Sequence, residues 1–110
     1  MGVQEWSERI IVVDLNDDPQ FTDDLNALMD LLAKRQKTDV LLNFSEVNFL
    51  NSSNIAKLLK LRKLQSTSHG KLRLCGITNA VWGIYLVTGL DKLFEFSDDV
   101  PSGLATLQFQ

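Results

Sequence analysis

Three short apolar runs, each followed by a segment in which apolar residues recur at helical spacing, constrain the fold of this chain most strongly. The runs are RIIVVDL (residues 9–15), VLLNF (40–44) and KLRLC (71–75). Runs of this length that are rich in Val, Ile and Leu are typical of strands buried on both faces. Strands that alternate with helices run mostly parallel, because each crossover helix packs back on the sheet. The pattern therefore predicts an α/β fold.

Capping and turn residues place the ends of the predicted elements. Residues 16–19 form a turn before the first helix, which Thr22 is expected to cap. Thr78 is expected to cap the third helix, and Gly89 to end it. The predicted strands are residues 3–7, 9–15, 40–44, 71–75 and 93–96, and the predicted helices begin at residues 23, 52, 79 and 99. The order is ββαβαβαβα, a mixed, mostly parallel sheet of about five strands with about four helices, in which the first hairpin adds an antiparallel edge.

Size and composition limit the kind of protein this is. A chain of 110 residues has the length of one domain, so we expect a single domain over residues 1–110. Its 14 acidic and 11 basic residues are scattered, which argues against a nucleic-acid partner. We expect no export signal and no membrane span, because no basic segment precedes a long apolar one. Cys75 is the only cysteine, which excludes an intramolecular disulfide and favours a cytoplasmic location.

Sequence patterns of catalytic, metal and cofactor sites are missing. We find no Gly-rich phosphate loop, no metal-spaced His and Cys set, and no Ser, His and acid set in a recognisable context. Five acids fall close together: Asp14, Asp17, Asp18, Asp23 and Asp24. They lack the spacing of a calcium loop and are explained by turn and cap roles. The chain is therefore predicted to be no enzyme and to bind neither a cofactor nor a metal.

Two stretches of the sequence carry a resemblance to a known family. In VLLNFSEVNFLNSSNIAKLLKLRKL (residues 40–64), a strand and a loop lead into a helix. This segment resembles the STAS domains, the family of bacterial anti-sigma-factor antagonists, in which a short Asp-Ser-Ser/Thr-Gly motif stands at the helix start. Here Asn51, Ser52, Ser53 and Asn54 occupy the motif. TNAVWGIYLVTGLDKLFEF (78–96) with SDDVPSGLATL (97–107) is similar to the later helix, last strand and terminal helix of the family.

This resemblance implies a non-catalytic protein-interaction switch. Ser53 stands at the second Ser or Thr of the motif, the residue phosphorylated in the family by a partner kinase that is also the anti-sigma factor. The unmodified antagonist binds the anti-sigma factor and frees sigma, phosphorylation prevents docking, and a phosphatase resets the switch. The implied partner-binding residues are Asn51, Ser52, Ser53, Asn54 and Lys57.

The motif departs from the family pattern at two positions, which leaves a second interpretation open. Asn51 keeps the capping shape of the family's Asp but loses its charge, and Asn54 adds a side chain where the family has Gly. Ser52 or Ser53 alternatively serves only as a helix cap, since Ser is preferred at such positions.

Two further sets of residues admit both a functional and a structural interpretation. Lys57, Lys60, Arg62 and Lys63 either steer an acidic partner toward Ser53 or form a solvated helix face. The third helix has more apolar surface than one core-facing stripe needs, so side chains such as Trp82 and Leu86 either pack internally or form a second protein-binding or lipid-contact surface.

Two other functions remain open alongside the antagonist. A STAS accessory subunit of a lipid or solute transporter resembles the same fold and would use the apolar third helix. A module that senses a small nucleotide or lipid at the motif loop is the third function, although the sequence has no dedicated recognition set for such a ligand.

Overall fold

A computed structural model describes residues 2–109 of the chain and confirms the predicted element order, ββαβαβαβα. The strands are β1 (Val3–Glu5), β2 (Ile10–Asn16), β3 (Asp39–Glu46), β4 (Leu72–Cys75) and β5 (Glu95–Ser97). The α-helices are α1 (Gln20–Leu32), α2 (Ser52–Thr67), α3 (Asn79–Thr88) and α4 (Val100–Phe109).

The five strands form one sheet in sequence order, β1-β2-β3-β4-β5. β1 pairs antiparallel with β2, and every other neighbouring pair is parallel. Parallel neighbours require a crossover connection, and α1, α2 and α3 each supply one. The mixed, mostly parallel sheet predicted from the apolar runs is therefore confirmed.

Alternate side chains of the central strands divide the core between the two faces of the sheet. On β2, Ile11 and Val13 belong to a large cluster that includes the buried apolar residues of α1, α2 and α3. Ile10 and Val12 point to the other face, where they pack with Leu107 of α4 in a smaller cluster. Three helices thus cover one face, and α4 covers the other.

The start of α1 differs from the sequence prediction. Thr22 does not cap this helix, which already begins at Gln20. The carboxylate of Asp18 accepts hydrogen bonds from the backbone N–H of Thr22 (2.9 Å) and from its hydroxyl (2.7 Å). Asp18 therefore satisfies a first-turn N–H group, the role expected of a capping side chain, and the helix starts earlier.

The last strand also begins later than predicted. Gly89 ends α3 in the left-handed conformation (φ 77°), as expected, but Leu90–Lys92 then forms a turn of 3₁₀ helix. β5 therefore starts at Glu95, and Leu93 lies in the connection. Within residues 2–109 none of the helices combines the length and the apolar character that a membrane crossing requires.

Candidate functional site

The motif lies at one edge of the sheet, where β2, β3 and β4 reach their carboxyl ends. The loops that follow these strands lead into α1, α2 and α3 respectively. Because parallel strands all point toward this edge, their outgoing loops meet there, which is where open α/β sheets place their binding sites. The β3–α2 loop carries the Asn-Ser-Ser-Asn motif, and the β2–α1 loop lies beside it.

Asn51 and Asn54 cap α2 reciprocally. The side-chain oxygen of Asn51 accepts from the backbone N–H of Asn54 at 2.8 Å, and the side-chain oxygen of Asn54 accepts from the backbone N–H of Asn51 at 3.0 Å. This is a capping box built from two amides. The interpretation in which Ser52 or Ser53 caps the helix is therefore wrong, because both serines lie inside the first turn.

The box leaves both serines free to face solvent. Ser52 and Ser53 are exposed as the first two residues of α2, and within residues 2–109 neither hydroxyl has a hydrogen-bond partner. Their backbone N–H groups belong to the positive end of the helix dipole. The site therefore presents two accessible hydroxyls in an electrostatic setting that favours an anion.

Asp18 brings a carboxylate to the motif that the sequence reading did not foresee. Its Oδ2 accepts from the side-chain amide of Asn54 at 2.9 Å and from that of Asn51 at 3.4 Å. Hydrogen bonds from Thr22 and then from Asn54 hold the pKa of Asp18 below its ordinary value. The negative charge that Asn51 lacks is thus supplied by the neighbouring loop.

Asp17, on the β2–α1 loop like Asp18, holds the middle of the motif loop, by which we mean the β3–α2 loop of residues 47–51. It accepts the backbone N–H of Asn48 at 2.8 Å and the side-chain amide of Asn48 at 3.0 Å, and these bonds lower its pKa. From the other side, the hydroxyl of Thr78 donates to the carbonyl oxygen of Val47 at 3.0 Å. The loop is therefore held from both flanking connections, and the acids act as hydrogen-bond acceptors. Among the described residues, no group of His, Cys, Asp or Glu is placed to hold a metal ion.

The remaining predicted contact residues differ in accessibility. Asn51 is exposed like the two serines, whereas Asn54 is only 2% exposed. Its side chain bonds to Asn51 and Asp18, so Asn54 shapes the loop and offers no side chain to a partner. Lys57, one turn further along α2, is half-buried and donates to the side-chain oxygen of Asn26 at 3.0 Å. Lys60, Arg62 and Lys63 are exposed, and Arg62 donates to a backbone carbonyl at 2.7 Å.

Three further features concern Cys75, α3 and the opposite end of the sheet. Cys75 is fully buried, and burial raises the pKa of its thiol to about 11. On α3, Val81 and Tyr85 face the core, whereas Trp82, Leu86 and Val87 are exposed. A groove of about 630 Å³ lies at the opposite end of the sheet, where β2, β3 and β4 begin.

Fold and site together define a small α/β domain that exposes a serine-bearing helix terminus at one edge of its sheet. A family model described as the STAS domain matches residues 5–103, and the chain therefore belongs to the STAS domain family. A search of curated proteins found no significant match.

Solved structures of anti-sigma-factor antagonists share the fold. The chain is similar to a putative anti-sigma factor antagonist from Thermotoga maritima (TM-score 0.80, 16% identity, 93% of this chain and 90% of that one). It is also similar to an anti-sigma-factor antagonist (STAS) domain protein from Planctomyces limnophilus (TM-score 0.79, 17% identity, 90% and 91%). The Bacillus cell fate determinant SpoIIAA in its phosphorylated form matches as well (TM-score 0.68, 14% identity, 86% and 88%).

Proposed function

We propose that this chain is a non-catalytic anti-sigma-factor antagonist that docks on an anti-sigma factor through the β3–α2 loop and the start of α2. The observation that carries the proposal is the pair of exposed hydroxyls on Ser52 and Ser53, held at a helix terminus by a fixed loop. Membership of the STAS family and likeness to solved antagonists support this kind of role. The protein would work in the cytoplasm as a domain spanning residues 1–110.

The partner in this proposal is an anti-sigma factor with serine kinase activity, which phosphorylates Ser53, and a phosphatase reverses the modification. Exposure of Ser53 and its position at the positive end of α2 support the assignment, because a phosphate there is stabilised by the helix without refolding of the domain. One similar structure is that of a protein in its phosphorylated form.

Phosphorylation would weaken docking for an electrostatic reason. A phosphate adds about −1.5 to −2 charges and three hydrated oxygens, all of which need a partner if the interface is to close over them. Asp18 already contributes a carboxylate on the same side of the motif. Two anionic groups at one edge raise the cost of desolvation further unless the partner is strongly basic.

Serine-to-aspartate variants test this switch. We expect Ser53→Asp to bind the cognate anti-sigma-type kinase about tenfold more weakly or worse, which corresponds to a loss of about 1.4 kcal/mol. Ser102→Asp is the matched control, because Ser102 is an exposed serine in the first turn of α4. Binding would be measured by calorimetry with each anti-sigma-type serine kinase encoded in the source genome. Equal affinities for Ser53→Asp and wild type would refute the switch at Ser53.

Phosphorylation itself is tested separately. The same purified kinases with ATP should add one phosphate to the wild-type chain and none to Ser53→Ala, as read by intact mass and peptide mapping. Phosphate on another residue would reject Ser53 as acceptor while leaving docking unaffected.

The exposed apolar side chains of α3 favour a second candidate function, an accessory STAS subunit of a lipid or solute transporter. Leu86 and Val87 are exposed on this helix, and Trp82, whose ring also packs against those of Tyr85 and Phe96, is 36% exposed. Fractionation of source cells separates the two functions, because a transporter subunit would sediment with membranes and an antagonist would not.

A further inference from the structure

Phe49 is an exposed aromatic residue in the middle of the motif loop. Its side chain is 63% exposed, while Leu50, the next residue, is buried at 3%. Single exposed apolar side chains are common on protein surfaces, so exposure alone assigns no role. What sets Phe49 apart is how firmly the chain on both sides of it is held.

Two carboxylates fix the loop around Phe49. On one side, Asp17 accepts both the backbone N–H and the side-chain amide of Asn48. On the other side, Asp18 accepts from the amides of the Asn51 and Asn54 capping box. The backbone that carries the ring is therefore ordered before any partner arrives, and the neighbouring Leu50 is packed in the large core cluster.

We propose that Phe49 is the anchor of the docking surface and inserts its ring into an apolar pocket of the protein that binds at Ser53. This inference rests on the proposed function and names the residue that supplies its binding energy. Interface energy concentrates in a few aromatic or Arg side chains that fill pockets on the partner. A side chain presented by an already ordered loop loses less conformational entropy on binding.

The closeness of Phe49 to Ser53 along the chain indicates which protein the ring contacts. Phe49 lies four residues before Ser53, on the β3–α2 loop that leads directly into the first turn of α2, and both side chains are exposed. The ring and the serines therefore belong to one short exposed segment, which a single partner surface can contact. The partner pocket is therefore apolar and lies beside the polar groups that face Ser52 and Ser53. A phosphate on Ser53 that prevents the interface from closing would then also separate the Phe49 ring from its pocket on the partner.

Alanine substitution gives a direct test with a matched control. We expect Phe49→Ala to weaken binding to the purified cognate anti-sigma-type kinase about tenfold or more, with an unchanged thermal midpoint. Phe109→Ala is the control, because Phe109 is 87% exposed on α4, the helix that packs on the opposite face. Equal affinities for the two variants would overturn the inference.

Photo-cross-linking in source cells separates failure of this inference from failure of the proposed function. Photo-reactive benzoylphenylalanine would replace Phe49, Ser53 or Phe109 in turn. Position 49 is expected to form an adduct with an anti-sigma factor that position 109 does not form.

The other outcomes separate the two proposals. An adduct at position 53 without one at 49 overturns the inference and keeps the function. An adduct of another protein at 49 and 53, whose affinity Phe49→Ala lowers, keeps the anchor and rejects the antagonist role. A second copy of the chain at 49, or no adduct at either position, overturns the anchor.

Discussion

At the scale of single residues, Asn54 and Asp18 explain how the motif departs from its family without losing the helix start. The family motif has glycine at the position of Asn54, so the polar side chain of Asn54 needs space and hydrogen-bond partners that glycine does not. It has both partners, because its amide group bonds to the backbone of Asn51 and to the carboxylate of Asp18. Asn54 therefore fixes the backbone at the start of α2 through the hydrogen bonds of its side chain.

Asp18→Ala is expected to destabilise the protein by about 1 kcal/mol, because it removes acceptors from the first turn of α1 and from the capping box of α2. Asp30→Ala is the control, since Asp30 is an exposed acid on α1 with no hydrogen-bond partner among the described residues. Urea denaturation measures both. A loss in Asp30→Ala as large as that in Asp18→Ala would contradict the assigned role.

The stabilisation from Asp18 should depend on pH with a defined sign. Its folded pKa is lowered from 3.8, so the folded state favours the charged form. That contribution is fully present above the unfolded pKa and is lost as the pH falls through the lower, folded pKa. The stability gap between wild type and Asp18→Ala should therefore narrow below about pH 4. A gap that widens on acidification would contradict the hydrogen bonds to this carboxylate.

At the scale of elements, α3 and α4 use glycine in opposite ways. A Cβ added at Gly83, in the middle of α3, would meet nothing within 4 Å. A Cβ added at Gly103 of α4 would stand 2.6 Å from a methyl carbon of Leu41, which is fully buried in β3. Gly103 therefore allows α4 to approach the sheet, while Gly83 has no packing reason inside the chain.

The same substitution should accordingly have opposite effects at the two positions. Gly83→Ala is expected to stabilise the protein by about 0.5–1 kcal/mol, because alanine loses less backbone entropy in a helix. Gly103→Ala should destabilise it, because overpacking costs about 1–3 kcal/mol and exceeds that gain. Urea denaturation of both variants measures the difference. A Gly103→Ala variant at least as stable as wild type would contradict the close approach of α4, and a destabilised Gly83→Ala would contradict the open space at Gly83.

At the scale of the whole molecule, features encoded locally could be predicted from the sequence. The Thr78 cap and the Gly89 stop of α3 are both present, because each depends on neighbouring residues. The parallel sheet followed from apolar runs separated by helices. Hydrogen bonds between residues far apart in the sequence could not be predicted. Asp18 and Asn54 are 36 positions apart, and no local sequence pattern indicates that they bond. The wrong prediction that Thr22 caps α1 has a related cause, because the carboxylate of Asp18 accepts the backbone N–H of Thr22.

The unequal division of the core between the two faces leads to a prediction about how the molecule opens. Cys75 lies in the smaller cluster, which only α4 covers, and far fewer buried side chains hold that face than the other. Elements held by few buried contacts open at lower free energy than the whole protein. The thiol of Cys75 is buried, and burial raises its pKa to about 11. The thiol therefore stays unreactive until α4 leaves the sheet.

Thiol labelling of Cys75 in urea should therefore give an opening free energy below that of global unfolding measured by circular dichroism. Leu107→Ala should speed labelling about tenfold or more, because Leu107 anchors α4 beside this thiol and loses buried contacts when truncated. Leu28→Ala is the matched control in the larger cluster, expected to lower global stability with a smaller effect on native-state labelling. If Cys75 reacts only as fast as the whole chain unfolds, and both variants change the two measurements in parallel, α4 belongs to the same cooperative unit as the rest of the sheet.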